Sequence, residues 1–170
     1  FTTTSYFFFM KALTIANDKK WVSNWSDFEE IKKGFTNFVK SEKLAIGYAG
    51  LTGITITMIA MSWKGFPYIM AIIAIYLGFQ MLINAFRRID SLTTAMLGFI
   101  ALAMPVLLSY PYYNTMGFVN TWWEAPAYIL LGYMLFSILM VTTRDFPWLL
   151  VIGSSIGIAL GIYLLLTYVF

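Results

Sequence analysis

The side chains that could do chemistry in this sequence are its charged groups, because the 170 residues include no histidine and no cysteine. Histidine is the commonest general base and metal ligand, and a chain without cysteine has no disulfides. Catalysis or cation binding by carboxylates needs at least two of them close together. Seven of the eight acidic residues lie in or beside loops rich in basic residues, where we interpret them as helix caps and solvated groups: Asp18, Asp27, Glu29, Glu30, Glu42, Asp90 and Asp145. The sequence therefore predicts no complete catalytic centre.

The eighth carboxylate, Glu124, stands apart in an aromatic segment, beside Trp122 and Trp123. We interpret it mainly as a cap for a helix that begins near Pro126, and less readily as a ligand. A second isolated group is Lys64, in the stretch SWKGFPYI (residues 62–69), where Trp63, Lys64 and Gly65 alone separate two long apolar segments.

The elements that carry these groups are membrane helices. Hydrophobic residues make up 60% of the chain and charged residues 11%, whereas soluble domains carry about 25% charged residues. A spanning helix needs about 20 mostly apolar residues. The chain is predicted to be an all-α, polytopic transmembrane bundle of about six helices, the first of them partial, at residues 5–16, 44–62, 66–86, 92–109, 126–142 and 147–170.

The basic residues predict the orientation of this bundle. Nine of them lie in alternate loops: Lys19, Lys20, Lys32, Lys33, Lys40, Lys43, Arg87, Arg88 and Arg144. The other loops contain only Lys64. Since cytoplasmic loops are enriched in lysine and arginine, we expect a multi-pass plasma-membrane protein with the basic loops in the cytoplasm. The hairpin at Lys64 and the segment 110–125 are then outside.

The first basic loop contains an amphipathic segment at residues 26–40. Ser26 followed by Glu29 fits a capping box, and phenylalanine and isoleucine recur at helical spacing after it. Such a helix is typical of the inner membrane surface, where lysines attract anionic headgroups. Packing against its own protein is the alternative, and the two interpretations are compatible.

Several functional classes find no support in the sequence. Ion-coupled carriers keep ionisable groups within the membrane, and Lys11, in the first helix, is the only charge there. No nucleotide-binding fingerprint or zinc-ligand spacing is present. The lysines belong to loops beside a membrane, so nucleic-acid binding is not indicated.

The order of these features resembles the middle of the archaeal-type catalytic subunit of oligosaccharyltransferase. SWKGFPYI is similar to an aromatic hairpin of that family, and SYPYYNTMGF (residues 109–118) is similar to its next outer loop. The resemblance would cover all 170 residues as the central transmembrane part. We accordingly expect the chain to be a fragment of a longer GT-C-like protein.

The resemblance implies a membrane glycosyltransferase. Such an enzyme transfers an oligosaccharide from a polyprenyl-phosphate carrier to asparagine in Asn-x-Ser/Thr sequons of an acceptor polypeptide at the outer face, with Mg or Mn as the cofactor. The family's catalytic carboxylates and metal ligands correspond to no residue of this chain. What carries over is a lipid-linked donor groove, with Tyr68 near the phosphate, Lys64 attracting it by charge and Trp63 forming a wall.

Alternatives remain open for both the residues and the protein. Trp63, Lys64 and Tyr68 also fit an interfacial anchor, in which aromatic rings lie at headgroup level and a lysine reaches water. The protein could instead be another lipid-linked-sugar GT-C transferase, or a non-catalytic subunit that scaffolds other membrane subunits.

Overall fold

The computed structural model describes residues 2–17, 19–23 and 25–143, together with Gly153 and Gly157. Six α-helices and one short π-helix account for most of this part, and it contains no strand. The elements are α1 (Thr2–Ile15), α2 (Phe28–Ser41), α3 (Lys43–Ser62), α4 (Phe66–Arg87), α5 (Leu92–Thr115), the π-helix (Val119–Trp123) and α6 (Glu124–Thr142). The predicted all-α helix bundle is confirmed. The helix predicted at 147–170 lies outside the described residues, apart from the two glycines.

Four segments are long and apolar enough to cross a membrane, namely α3, α4, α5 and the π-helix with α6. Their lengths of 20 to 24 residues correspond to about 30 Å or more at a rise of ~1.5 Å per residue. These four segments indicate an integral membrane protein. The 14-residue α1 is the counterpart of the partial first helix in the prediction.

Two predicted boundaries differ from the structure at the prolines. The helix predicted at 92–109 continues to Thr115, through Pro105 and Pro111, because neighbouring groups in membrane bundles can satisfy the backbone that proline leaves unpaired. The helix predicted to start at Pro126 begins at Glu124 and is preceded without a break by the π-helix. Pro67, by contrast, lies in the first turn of α4, where proline is tolerated.

Helix α5 forms the centre of the bundle. It contacts α1, α3, α4, α6 and the π-helix, and it buries thirteen of its residues. Without a hydrophobic force between helices in lipid, close packing depends on small side chains. Along α5 these are Ala95, Gly98 and Ala101, while Gly53 of α3 faces the Ala101 carbonyl and the Met104 side chain.

Tyr133 of α6 lies across Gly98 of α5. Its hydroxyl donates to the carbonyls of Thr94 and Ala95, at 3.2 and 3.0 Å. A methyl group at position 98 would collide with this hydroxyl and with Leu77 of α4. Because position 98 has no side chain, α4, α5 and α6 can meet at this point.

A polar network closes one end of the bundle. The buried carboxylate of Glu42 accepts from the backbone and side-chain amides of Asn17, at 3.3 and 3.0 Å. The Asn17 carbonyl accepts from Thr93 at 3.1 Å, and Thr93 accepts from the indole of Trp21 at 2.9 Å. Glu42 is the cap residue between α2 and α3, as predicted, but its side chain is buried and not solvated, because its oxygens tie the end of α1 to the start of α3.

The predicted amphipathic helix is present as α2 and packs on its own protein. Phe38 is buried against Trp21, and Gly34 leaves no room for a side chain beside the Trp21 carbonyl. The N-cap is Asp27, whose carboxylate accepts from the amides of Glu29 and Glu30 at 2.9 and 3.4 Å. The predicted cap at Ser26 was wrong by one residue, since Asp27 provides the oxygen.

The bundle has two chemically different ends. We name residues 60–68 and 110–124 the hairpin end. The opposite end, comprising 17, 19–23, 25–43, 87–94 and 142–143, is the basic end. Hydrogen bonds among Asn17, Trp21, Glu42 and Thr93 join segments of the basic end, and Lys64 with the rings of Phe118 and Trp122 joins the segments of the hairpin end. This agrees with the grouping of loops on which the orientation was predicted. The side of the membrane that each end faces stays a prediction.

Labelling of single cysteines will test the orientation, and the chain provides a background free of native cysteine. Thr115→Cys at the hairpin end and Thr36→Cys on α2 are both exposed positions. In intact cells, a membrane-impermeant maleimide should label Thr115→Cys directly and Thr36→Cys only after permeabilisation. The reverse pattern would refute the orientation.

The close contact at Gly98 predicts a large difference between two conservative substitutions. Gly98→Ala should destabilise the protein by about 1–3 kcal/mol, because overpacking forces neighbours apart. Gly47→Ala on α3 is the matched control, since an added methyl group would meet no atom within 4 Å there. Thermal unfolding in detergent measures both, and equal midpoints would contradict the packing of Tyr133 over Gly98.

Candidate functional site at the hairpin end

The turn between α3 and α4 is built from Trp63, Lys64 and Gly65. Trp63 leaves the helix in an extended conformation, while its amide still donates to the Ile59 carbonyl at 2.7 Å. Its indole then folds over Gly65, in the space that a side chain there would occupy. A glycine is therefore required for this close approach, and the turn holds the tryptophan at the tip.

Buried aromatic residues fix the turn to the bundle below. The Tyr113 hydroxyl of α5 donates to the Ala60 carbonyl of α3 at 2.7 Å. The Tyr113 ring also stacks with Phe66 of α4, with centroids 5.9 Å apart and planes at 23°. Both rings are almost fully buried, so α5 holds the end of α3 and the start of α4 together.

The end of α5 reverses through a glycine. Gly117 has a φ of +71°, its amide donates to the Asn114 carbonyl at 3.2 Å, and the Phe118 amide donates to the Tyr113 carbonyl at 3.0 Å. These two bonds form the Schellman motif that ends many helices. It directs the chain back through Phe118 into the π-helix, and the rings of Phe118 and Trp122 then lie beside the α3–α4 turn.

Lys64 lies over both of these rings. Its Nζ is 4.7 Å from the Phe118 centroid and 5.0 Å from the Trp122 centroid. Lysine over an aromatic face gains about 0.5–1 kcal/mol at exposed sites. The rings accept no conventional hydrogen bond and Lys64 is exposed, so its ammonium can still donate to an acceptor from outside.

Trp123 secures the π-helix against α5. Its indole N–H donates to the Val106 carbonyl at 2.8 Å, and its ring meets Tyr110 edge-on with centroids 5.0 Å apart. The ring pair that holds Lys64 is thereby fixed to the central helix. Glu124 follows directly, but as the helix is continuous there its predicted capping role was wrong, and no side-chain cap bond forms.

The structure places the three predicted site residues differently. Trp63 is 53% exposed and Tyr68 is 74% exposed, on the turn and on the first turn of α4. Within the described part of the chain, the Tyr68 hydroxyl has no hydrogen bond, to Lys64 or to any other group. Of the three, Lys64 is the one whose side chain lies over rings from a distant part of the sequence. The role of each residue in binding a donor stays a prediction.

Phe118 and Trp122 were not singled out from the sequence as partners of Lys64. The only signal was the density of aromatic residues between 110 and 123, which is also typical of an interfacial belt. Charge is sparse here, since Lys64 and Glu124 are the only charged residues in segments 60–68 and 110–124. Among the described residues no three His, Cys, Asp or Glu side chains cluster as metal ligands, so these residues do not fit the implied divalent cation.

No protein-family model matches the chain, and neither a curated protein nor a solved structure matches it.

Hydrogen exchange will test whether Lys64 orders the segment 116–123. Lys64→Met should speed exchange of the amides in this segment by about two- to fivefold, which corresponds to losing ~0.5–1 kcal/mol of cation–π stabilisation. Lys64→Arg should preserve slow exchange, because a guanidinium also binds aromatic faces. The control is Lys40→Met on the exposed face of α2, and an identical profile for the two methionine variants would count against the cation–π contact.

Proposed function

We propose that this chain is the central membrane part of a glycosyltransferase of the oligosaccharyltransferase kind, and that its hairpin end borders the groove for the lipid-linked donor. The proposal joins the resemblance carried by SWKGFPYI and SYPYYNTMGF to one observation. Lys64 is an exposed cation held over two rings where both of these sequence segments meet.

The chemistry of this end suits a lipid-linked phosphate. An ammonium is a point-charge partner for phosphate oxygens. The ammonium is held over two rings, and the side chain is exposed. A polyprenyl pyrophosphate also carries a long apolar chain, and the exposed faces of Trp63 and Tyr68 offer apolar contact where membrane and water meet.

Each residue then has a definite part in binding. Lys64 neutralises part of the pyrophosphate charge, and the free hydroxyl of Tyr68 donates to a phosphate oxygen. Trp63, held over Gly65, forms a wall of the groove. In this proposal, the carboxylates that activate the acceptor asparagine and bind Mg or Mn belong to segments outside this chain, so these residues bind the donor and perform no step of transfer.

The proposed setting is the plasma membrane, with the hairpin end outside. A donor carried by a membrane lipid and an acceptor polypeptide would meet there. The four spanning helices support the membrane assignment, and the orientation rests on the distribution of basic residues.

Donor kinetics of the full-length protein will test the proposal. The assay contains a polyprenyl-linked oligosaccharide, an Asn-x-Thr peptide and Mn. Lys64→Ala should raise the donor KM by about tenfold or more, as expected for a lost hydrogen bond to a charged group, with a smaller rise for Tyr68→Phe. The kcat should change little, because neither residue acts in transfer.

Two controls separate binding from folding. Lys64→Arg should recover most of the donor KM, and Lys40→Ala on α2 should leave it unchanged. An unchanged donor KM in both Lys64→Ala and Tyr68→Phe would reject the groove. Sugar transfer to another acceptor would favour a different GT-C transferase, and absence of transfer together with co-purifying membrane subunits would favour a scaffold.

A further inference from the structure

Helix α2 carries exposed apolar side chains that its packing on the bundle does not use. Phe28 is 76% exposed, the largest exposure among the large hydrophobic side chains that the structure describes, and Val39 is 53% exposed. On the packing side of the same helix, Gly34 and Phe38 are buried against Trp21. The apolar residues of α2 therefore divide into one set that packs on the protein and one that does not.

The exposed set forms a straight stripe along α2, which we name the outer stripe. Its members follow each other at intervals of four, three and four residues, the spacing that keeps side chains on one face of a helix: Phe28, Lys32, Phe35 and Val39. Lys32 is exposed, and a lysine can cover apolar surface with its stem while its ammonium stays in water. The outer stripe is therefore apolar apart from one side chain that suits a boundary between membrane and water.

Three sides of α2 differ in chemistry. The packing side faces Trp21, the outer stripe lies beside it, and the remaining side is polar. The polar side consists of exposed residues, namely Glu29, Lys33, Asn37 and Lys40. A helix between a protein and water needs an apolar face only toward the protein. A second apolar face beside the first is expected where protein, membrane and water meet.

The chain connection holds α2 at the membrane boundary. Only Glu42 separates the end of α2 at Ser41 from Lys43, where the membrane-spanning α3 begins. The outer stripe also adjoins the exposed surface of the spanning helices, since Phe35 and Ile138 of α6 line the same apolar groove and Ile138 is 57% exposed. Lipid of the membrane surface is therefore the occupant that the fold places beside the outer stripe.

We propose that the outer stripe of α2 binds the membrane surface at the basic end, with Phe28 and Val39 inserted at the level of the lipid headgroups. Interfacial amphipathic helices bury their apolar face by about 5–10 Å in this region. Phe38 stays on the protein and Lys33 stays in water, so packing and surface binding use different sides of one helix. This contact is separate from the donor groove proposed at the hairpin end, and it anchors the basic end to lipid.

Power-saturation EPR of the full chain in phosphatidylcholine nanodiscs will test the lipid contact. Single nitroxide labels are placed at Phe28→Cys and Val39→Cys, in a chain without native cysteine. Oxygen, which concentrates in lipid, should reach both labels severalfold better than a water-soluble nickel chelate does. The same preference is expected at Ile75→Cys, an exposed position of the spanning α4. Asn37→Cys on the polar side is the control and should favour the nickel chelate.

Two results would overturn the proposal. Nickel access at Phe28→Cys and Val39→Cys equal to that at Asn37→Cys would show that the outer stripe faces water. Poor access of both reagents would instead assign the outer stripe to a protein contact, with a second copy of the chain or with residues 144–170.

A charge in the outer stripe should weaken the contact with lipid. With the label at Phe28→Cys, Val39→Asp should raise nickel access severalfold, because a carboxylate is costly to bury without a partner. Asn37→Asp is the matched control, since it adds the same charge to the polar side and should leave the access unchanged. Both positions are exposed, so neither substitution should shift the thermal unfolding midpoint in detergent. An equal rise of nickel access in both variants, or none in Val39→Asp, would refute insertion of the outer stripe.

Discussion

Close approach of helices along α5 is the constraint on which the rest of the structure depends. In a bilayer, apolar side chains gain little by leaving lipid for protein, so helices associate through tight packing and hydrogen bonds. Gly98 lets the Tyr133 hydroxyl reach the carbonyls of α5, and Gly53 brings α3 against Ala101. These contacts put α3, α4 and α6 around one central helix.

The same helix also positions the segments of the hairpin end. Because α5 continues through Pro111 to Thr115, Tyr113 reaches the end of α3 and the Schellman motif turns the chain back over the bundle. Lys64 then meets two rings from a segment more than 50 residues later. The cation on this three-residue turn is thereby held over rings that belong to another part of the chain.

The elements were largely predictable, and the differences have specific physical causes. Apolar runs of membrane length predicted α3, α4, α5 and α6, because every spanning backbone must bond internally as a helix. The predicted ends failed at two prolines, because α5 continues through Pro111 instead of ending before it, and α6 begins at Glu124, two residues before the predicted start at Pro126. The cap of α2 moved from Ser26 to Asp27, two adjacent residues that both favour an N-cap position. The prediction that Glu42 is solvated failed because Asn17, which follows α1, donates hydrogen bonds to its carboxylate.

What the sequence by itself determined was local: membrane helices, an amphipathic α2, a tight turn at Trp63–Gly65 and a lone cation upon it. Those features follow from hydrophobic length, periodicity and residue type, which act between near neighbours in the chain. Only the tertiary structure decided that Lys64 lies over Phe118 and Trp122, and that α2 packs Phe38 on the bundle and leaves Phe28 and Val39 exposed. Such contacts depend on how closely the helices pack and where each one ends, and a few glycines together with the Tyr133 hydroxyl set both.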